Sequence, residues 1–177
     1  MRATNVIIIS SGRVSSAPPL ALDKMIRSIV EMKKRPVLVL GPDGDDVLGS
    51  CAEIEKCELV FDPNYTGGFF SSLKAGLHAI HGATLVVPLD PKFAADDGTL
   101  QKTLGDLENS IEGDGTAAKC DVVCPLTHDN ATRPAGEPFL VTQKGVKSLM
   151  NFEASLDWEN CDAISVQHVP VSSGTNC

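Results

Sequence analysis

Short apolar, β-branched runs alternate with segments of helical period along nearly the whole chain, and this alternation restricts the fold more than any other feature. Asn5 to Ser10 reads NVIIIS, Val37 to Leu40 reads VLVL and Thr84 to Leu89 reads TLVVPL. Runs that are apolar at almost every position suit strands covered on both faces, as in a parallel sheet. Glu58 to Phe61 reads as a further strand. Between these runs, Leu22, Met25, Ile26, Ile29, Val30 and Met32 recur at helical spacing, as do Leu73, Leu77 and Ile80, and then Leu100, Leu104, Leu107 and Ile111. Pro18 and Pro19 suit the start of the first helix, where a missing amide is harmless. Asp45 or Asp46 can cap a helix running towards Ile54. Such a succession predicts an α/β chain with a three-layer αβα, Rossmann-like, mostly parallel sheet. Val122 to Leu126 and Pro138 to Val141 flank the polar segment Thr127 to Gly136 and predict one antiparallel element. Val146 to Phe152 reads as a short helix and Ala163 to Val171 as a last strand.

A chain of 177 residues fits one domain, here residues 1 to 177, and can bury roughly 70% of its unfolded surface. Aromatic residues are only 5% of it, so the core is expected to be aliphatic. Lys plus Arg number 15 against 23 Asp plus Glu, a net charge of −8. That balance repels a phosphate backbone and argues against general nucleic-acid binding. One small phosphorylated ligand stays compatible with it, because a local cation or backbone amides can override the global field. No window approaches ~18 consecutive apolar residues, so no membrane helix is expected. The first strand lacks the basic flank of a secretory leader, and a cytoplasmic setting follows as the expectation. The six cysteines (Cys51, Cys57, Cys120, Cys124, Cys161 and Cys177) are then expected as free thiols. Cys120 and Cys124, four apart in a presumed strand, are expected on one face as buried structural thiols rather than metal ligands.

In an open parallel sheet, ligands bind outside the carboxyl ends of the strands. That rule selects three loops: Ser10 to Pro19, Asp62 to Ser72 and Asp90 to Ala94. Asp90 is a hard oxygen ligand where a Mg²⁺–phosphate complex would sit, or a turn cap. Gly67, Gly68, Ser71 and Ser72 lie at a loop-to-helix junction, which suits either anion or base contact or a simple helix start. Ser10, Ser11, Gly12 and Arg13 can form an amide nest for phosphate or a plain turn. Lys74 is a solvated helix charge or a ligand contact. His78 and His81 share a helix face without further zinc ligands and read as surface residues. No G-x-S-x-G elbow is present, so serine hydrolase chemistry has no support.

Three of these segments together resemble the MobA/MocA-like nucleotidyltransferases of molybdenum-cofactor maturation. The stretch Asp62-Pro63-Asn64-Tyr65-Thr66-Gly67-Gly68-Phe69-Phe70-Ser71-Ser72-Leu73-Lys74-Ala75-Gly76 is similar to the family's N-P-[DN]-[WY]-x-x-G-x-x-x-S-[LIV]-[RK]-x-G pattern, with Asp62 in place of its first Asn. Leu85 to Pro91 resembles the strand that ends in a metal-binding Asp. Arg133, Gly136 and Pro138 resemble the family's R-x-G-x-P. The resemblance implies a fold of the nucleotide-diphospho-sugar transferase type. It also implies transfer of a nucleoside monophosphate from CTP or GTP to a phosphorylated acceptor such as molybdopterin, with Mg²⁺ and release of pyrophosphate. By the same resemblance, Asp90 is the catalytic, metal-bearing residue. Ser10, Ser11, Gly12, Arg13, Gly67, Gly68, Ser71 and Ser72 bind nucleotide, and Arg133 and Gly136 bind the acceptor. The first loop departs from the pattern: the family's Arg, Gly and Lys fall at Ser16, Pro18 and Ala21. A catalytically degenerate homologue, binding a nucleotide, a cofactor or a protein partner, is therefore the alternative.

Overall fold

Each apolar run pairs with another to form one seven-stranded sheet, in the order β3-β2-β1-β4-β6-β5-β7. The structure, a computed structural model, describes residues 3, 5–10, 19–42, 44–94, 98–112, 119–126, 137–151 and 164–170. The strands are β1 (Asn5–Ile9), β2 (Arg35–Leu40), β3 (Glu58–Phe61), β4 (Thr84–Pro88), β5 (Val122–Pro125), β6 (Phe139–Val141) and β7 (Val166–Val169). The first four run parallel to one another, β6 lies antiparallel to both β4 and β5, and β7 is parallel to β5. The single reversed strand is the antiparallel element that the Val122 to Val141 segment leads one to expect.

Among the described residues, five helices cover the sheet: α1 (Pro19–Glu31), α2 (Gly44–Ser50), α3 (Phe69–His78), α4 (Thr99–Glu112) and α5 (Gln143–Met150). Strand side chains alternate between two apolar layers. On one face Val6, Ile8, Leu38, Leu40, Leu85 and Val87 meet Met25, Ile26 and Ile29 of α1 and Leu100, Leu104 and Leu107 of α4. On the other, Ile7, Ile9, Val37, Val39, Val86 and Phe139 meet Phe70, Leu73 and Leu77 of α3 and Leu149 of α5. Gly76 lets α3 lie close on the sheet, since a methyl group there would stand 2.9 Å from Ile7 and 3.0 Å from Val39. Among the described residues no helix is long and apolar enough to cross a membrane.

Three local expectations are corrected. Helix α2 stops at Ser50, well before Ile54, which opens a separate 3-10 turn, Ile54–Lys56. Helix α5 begins three residues before Val146, because the Thr142 hydroxyl accepts from the Gly145 amide at 3.0 Å and caps it there. Cys120 and Cys124 do not share a face: β5 begins only at Val122, so Cys120 packs in the α1/α4 layer while Cys124 packs in the α3/α5 layer.

Candidate functional site at the carboxyl edge of the sheet

The chain fills β1, β2 and β3 outward in one direction, then returns to place β4 on the other side of β1. At such a reversal the two connections diverge and leave a crevice beyond the strand ends. The residues immediately after the parallel strands therefore line one edge, in the order Asp62 after β3, Gly41 after β2, Ser10 after β1, then Leu89 and Asp90 after β4.

Asp62 organises one side of this edge. Its backbone amide donates to Leu40 O at 2.9 Å, which extends the β2–β3 pairing by one step. Its buried carboxylate accepts the Asn64 amide at 2.9 Å and the Ser71 hydroxyl at 3.0 Å on Oδ1, and the Ser72 hydroxyl at 2.9 Å on Oδ2. The hydroxyl protons of Ser71 and Ser72 are thus turned inward. The chain then passes through the 3-10 turn Tyr65–Gly67 and reaches Gly68, whose φ of 76° and ψ of −161° only glycine adopts without strain. Gly68 is the N-cap of α3, and no side-chain hydrogen bond caps the helix there. The Tyr65 ring lies over Gly41: a methyl group on Gly41 would stand 2.9 Å from Tyr65 Cδ2.

Ser10 is buried between strands, its hydroxyl donating to Val39 O at 2.8 Å. Ser11, Gly12 and Arg13 lie outside the described residues, as do Arg133 and Gly136. Asp90 is half-buried, and its Oδ1 accepts the Lys92 amide at 3.0 Å, capping the 3-10 turn Pro91–Ala94. The Lys92 ammonium reaches Glu137 Oε1 at 2.5 Å and lies 4.8 Å from the centroid of the Phe93 ring. Glu137 stands just before the reversed strand β6, whose beginning is therefore level with the end of β4. Sequence reading passed over both Lys92 and Glu137, and treated Asp62 only as a deviation from a motif. The inward-facing role of Asp62 had one signal in advance, namely two serines at a helix start behind a short polar loop.

Among the described residues, no group of three or more His, Cys, Asp and Glu could hold a metal ion by protein ligands alone. Mg²⁺ keeps several waters and takes one or two carboxylates together with substrate phosphates. Asp90, with one oxygen engaged by an amide, has the hard-donor chemistry for that mode of binding. Three of the described thiols are poor nucleophiles. Burial pushes Cys51, Cys57 and Cys124 up to about 12, with a hydrogen bond to Asp23 adding to the effect at Cys51. These three stay protonated at neutral pH. Cys51, Cys57 and Cys124 are free thiols, as expected of them.

The opposite, amino edge holds a shallow cleft of about 630 Å³ lined by Asn5, Val30, Lys33, Lys34, Arg35 and Lys56 among others. Its cations are largely neutralised: Lys34 pairs with Glu108 at 2.7 Å, Arg35 with Glu58, and Lys56 with Glu53. The same edge carries Asp121, just before β5, whose buried carboxylate accepts from Ser148 Oγ at 2.7 Å and from Ser165 Oγ at 2.6 Å and the Ser165 amide at 2.9 Å. Burial works to raise the Asp121 carboxyl, but the Ser165 and Ser148 hydroxyls, the Ser165 amide and Lys144 outweigh it and hold it below its usual 3.8. This constellation binds its own helix and strand together and lies away from the crevice.

No family model matches the sequence, and no curated protein matches it in sequence. Solved structures do. Rv0371c from Mycobacterium tuberculosis H37Rv matches with a TM-score of 0.61 at 16% identity, over 97% of this chain and 90% of that one. The 4-diphosphocytidyl-2C-methyl-D-erythritol synthase of Anaerococcus prevotii gives 0.60 at 16% identity, over 97% and 90%. Glucosyl-3-phosphoglycerate synthase of M. tuberculosis, solved with Mn²⁺, UDP and phosphoglyceric acid, gives 0.55 at 12% identity, over 96% of this chain and 68% of that one. The chain shares with these structures a mostly parallel α/β fold. At these identities the likeness is one of architecture, and within that architecture the edge carrying Asp62, Gly41, Ser10 and Asp90 is the one beyond the strand ends.

Proposed function

We propose that this chain binds a Mg²⁺–nucleoside triphosphate at the carboxyl edge and transfers its nucleoside monophosphate to a phosphorylated acceptor. The observation that carries this reading is the position of Asp90, directly after β4 and beside β1, on the side of the crevice opposite the Asp62-organised turn. In the reaction an acceptor phosphate oxygen forms a bond to the α-phosphorus while the bond from that phosphorus to the bridging oxygen breaks, and pyrophosphate leaves with that electron pair. Asp90 would hold the Mg²⁺, which supplies charge neutralisation on the phosphates. The start of α3 at Gly68 offers backbone amides to base or ribose, and Tyr65 over Gly41 closes that side. CTP or GTP is the expected donor and molybdopterin one acceptor of the right chemistry. Structural neighbours solved with UDP, divalent metal and a phosphorylated acceptor support this ligand class.

Asp90→Asn is expected to lower Mg²⁺-dependent pyrophosphate release by about 10²–10³-fold, the effect of removing one well-placed charge-stabilising group. The melting temperature should stay within a few degrees of wild type, because Asn keeps an oxygen for the Lys92 amide. Unchanged turnover would remove Asp90 from the reaction. A second reading is favoured by the first loop, where Ser16, Pro18 and Ala21 stand at positions the resembled family fills with Arg, Gly and Lys. On that reading the chain binds nucleotide, with a Mg²⁺-enhanced rise in thermal stability, and releases no pyrophosphate.

A further inference from the structure

We propose that Lys92 is the phosphate-binding cation of the carboxyl edge, and that Glu137 is an internal surrogate that occupies it until a phosphate arrives. This rests on the reading that the edge takes a phosphate-bearing ligand. In an acidic chain of net charge −8, a local cation is one of the two ways to hold a polyphosphate, beside backbone amides. Lys92 is positioned for that role by its own backbone, since its amide is the donor held by Asp90 Oδ1 at 3.0 Å. Its ammonium is held from two sides, by Glu137 at 2.5 Å and by the Phe93 ring at 4.8 Å, and Phe93 is itself buried. The ring contact fixes where the charge stands and survives an exchange of anion.

The carboxylate is the exchangeable partner. The Lys92 and Glu137 side chains are 46% and 33% exposed, a degree of exposure at which an ion pair contributes little to stability. The two residues are 45 positions apart and belong to different elements, one just after β4 and one just before its neighbour β6, so the contact ties two adjacent strand ends at the carboxyl edge. Lys34 makes a useful contrast. At 8% exposure it donates both to Glu108 and to the Ala3 carbonyl, and is spoken for. A phosphate reaching Asp90 meets Lys92 in a pair that water already weakens. It displaces Glu137 and takes over its hydrogen bond, with no covalent change.

The test is a double-mutant cycle read by calorimetric binding of Mg·CTP and Mg·GTP, and of glycerol 3-phosphate as a plain phosphate monoester. Lys92→Met is expected to weaken the affected ligand about tenfold, the loss of one charge-assisted hydrogen bond. Glu137→Gln is expected to tighten the same ligand by about threefold, from an unmasked cation. In the Lys92→Met background Glu137→Gln should change nothing. Sensitivity of the triphosphates assigns Lys92 to the donor, and sensitivity of the monoester assigns it to the acceptor. Both variants should melt with wild type. Equal wild-type and Lys92→Met affinities would overturn the proposal while leaving the nucleotide reading intact, as would a Glu137→Gln gain that persists without Lys92. Wild-type protein that binds none of the three would overturn both.

Discussion

Asp62 is where a single residue governs the most local structure. One carboxylate accepts a backbone amide and two hydroxyls. Asp62→Ala strands those donors at the start of α3, and is expected to cost about 2–3 kcal/mol in urea denaturation. Asp62→Asn should cost clearly less, because its amide oxygen keeps an acceptor and its NH₂ can donate to a serine. In the sequence the residue stands out as a mismatch to a family pattern, and two serines at a helix start are the one further hint of its role. Its partners lie nine and ten positions away, across a turn whose geometry depends on the positive φ of Gly68, and no spacing rule predicts which hydroxyls fold back. Asp90 was legible for the opposite reason. A strand end followed by Asp-Pro is a local signal, and the crevice rule supplies the location.

Among the elements, α1 ends in a way that invites repair. Lys33 donates its amide to Val30 O at 2.8 Å and Lys34 donates to Ile29 O at 3.3 Å, the paired bonds of a Schellman closure. The residue at the turn is Lys33, at φ 58°, a conformation that favours glycine. Lys33→Gly is expected to stabilise the fold by up to about 1 kcal/mol, seen as a higher urea midpoint at unchanged slope. The described α-helices and strands were readable, since helical and strand periods differ so sharply in Leu22 to Met32 and in Asn5 to Ser10, but the 3-10 turns such as Tyr65–Gly67 were not. Nor were element limits. The start of α5 depends on the Thr142 hydroxyl reaching the Gly145 amide, and the separation of Cys120 from Cys124 depends on where β5 begins. Both are set by side-chain bonds near Asp121, which the hydrophobic pattern does not record.

At the scale of the molecule, the two sheet edges divide their labour. The amino edge is bound together by ion pairs and by Asp121, which joins β5 to α5 through Ser148 and to the chain leading into β7 through Ser165. Because the folded Asp121 carboxyl titrates below its ordinary 3.8, its stabilisation is complete above the unfolded value. It is lost as pH falls below that value and through the folded one. Asp121→Asn should therefore flatten the fall in urea midpoint between about pH 6 and pH 3; an unchanged acid limb would remove Asp121 from the linkage. The carboxyl edge is built instead from a helix with no side-chain cap, a turn that requires glycine and a solvent-exposed ion pair. The reversal of β6 has its consequence here. Every parallel strand hands the crevice the residue that follows it, whereas β6 hands over the residue that precedes it. The mouth is thus supplied from both chain directions.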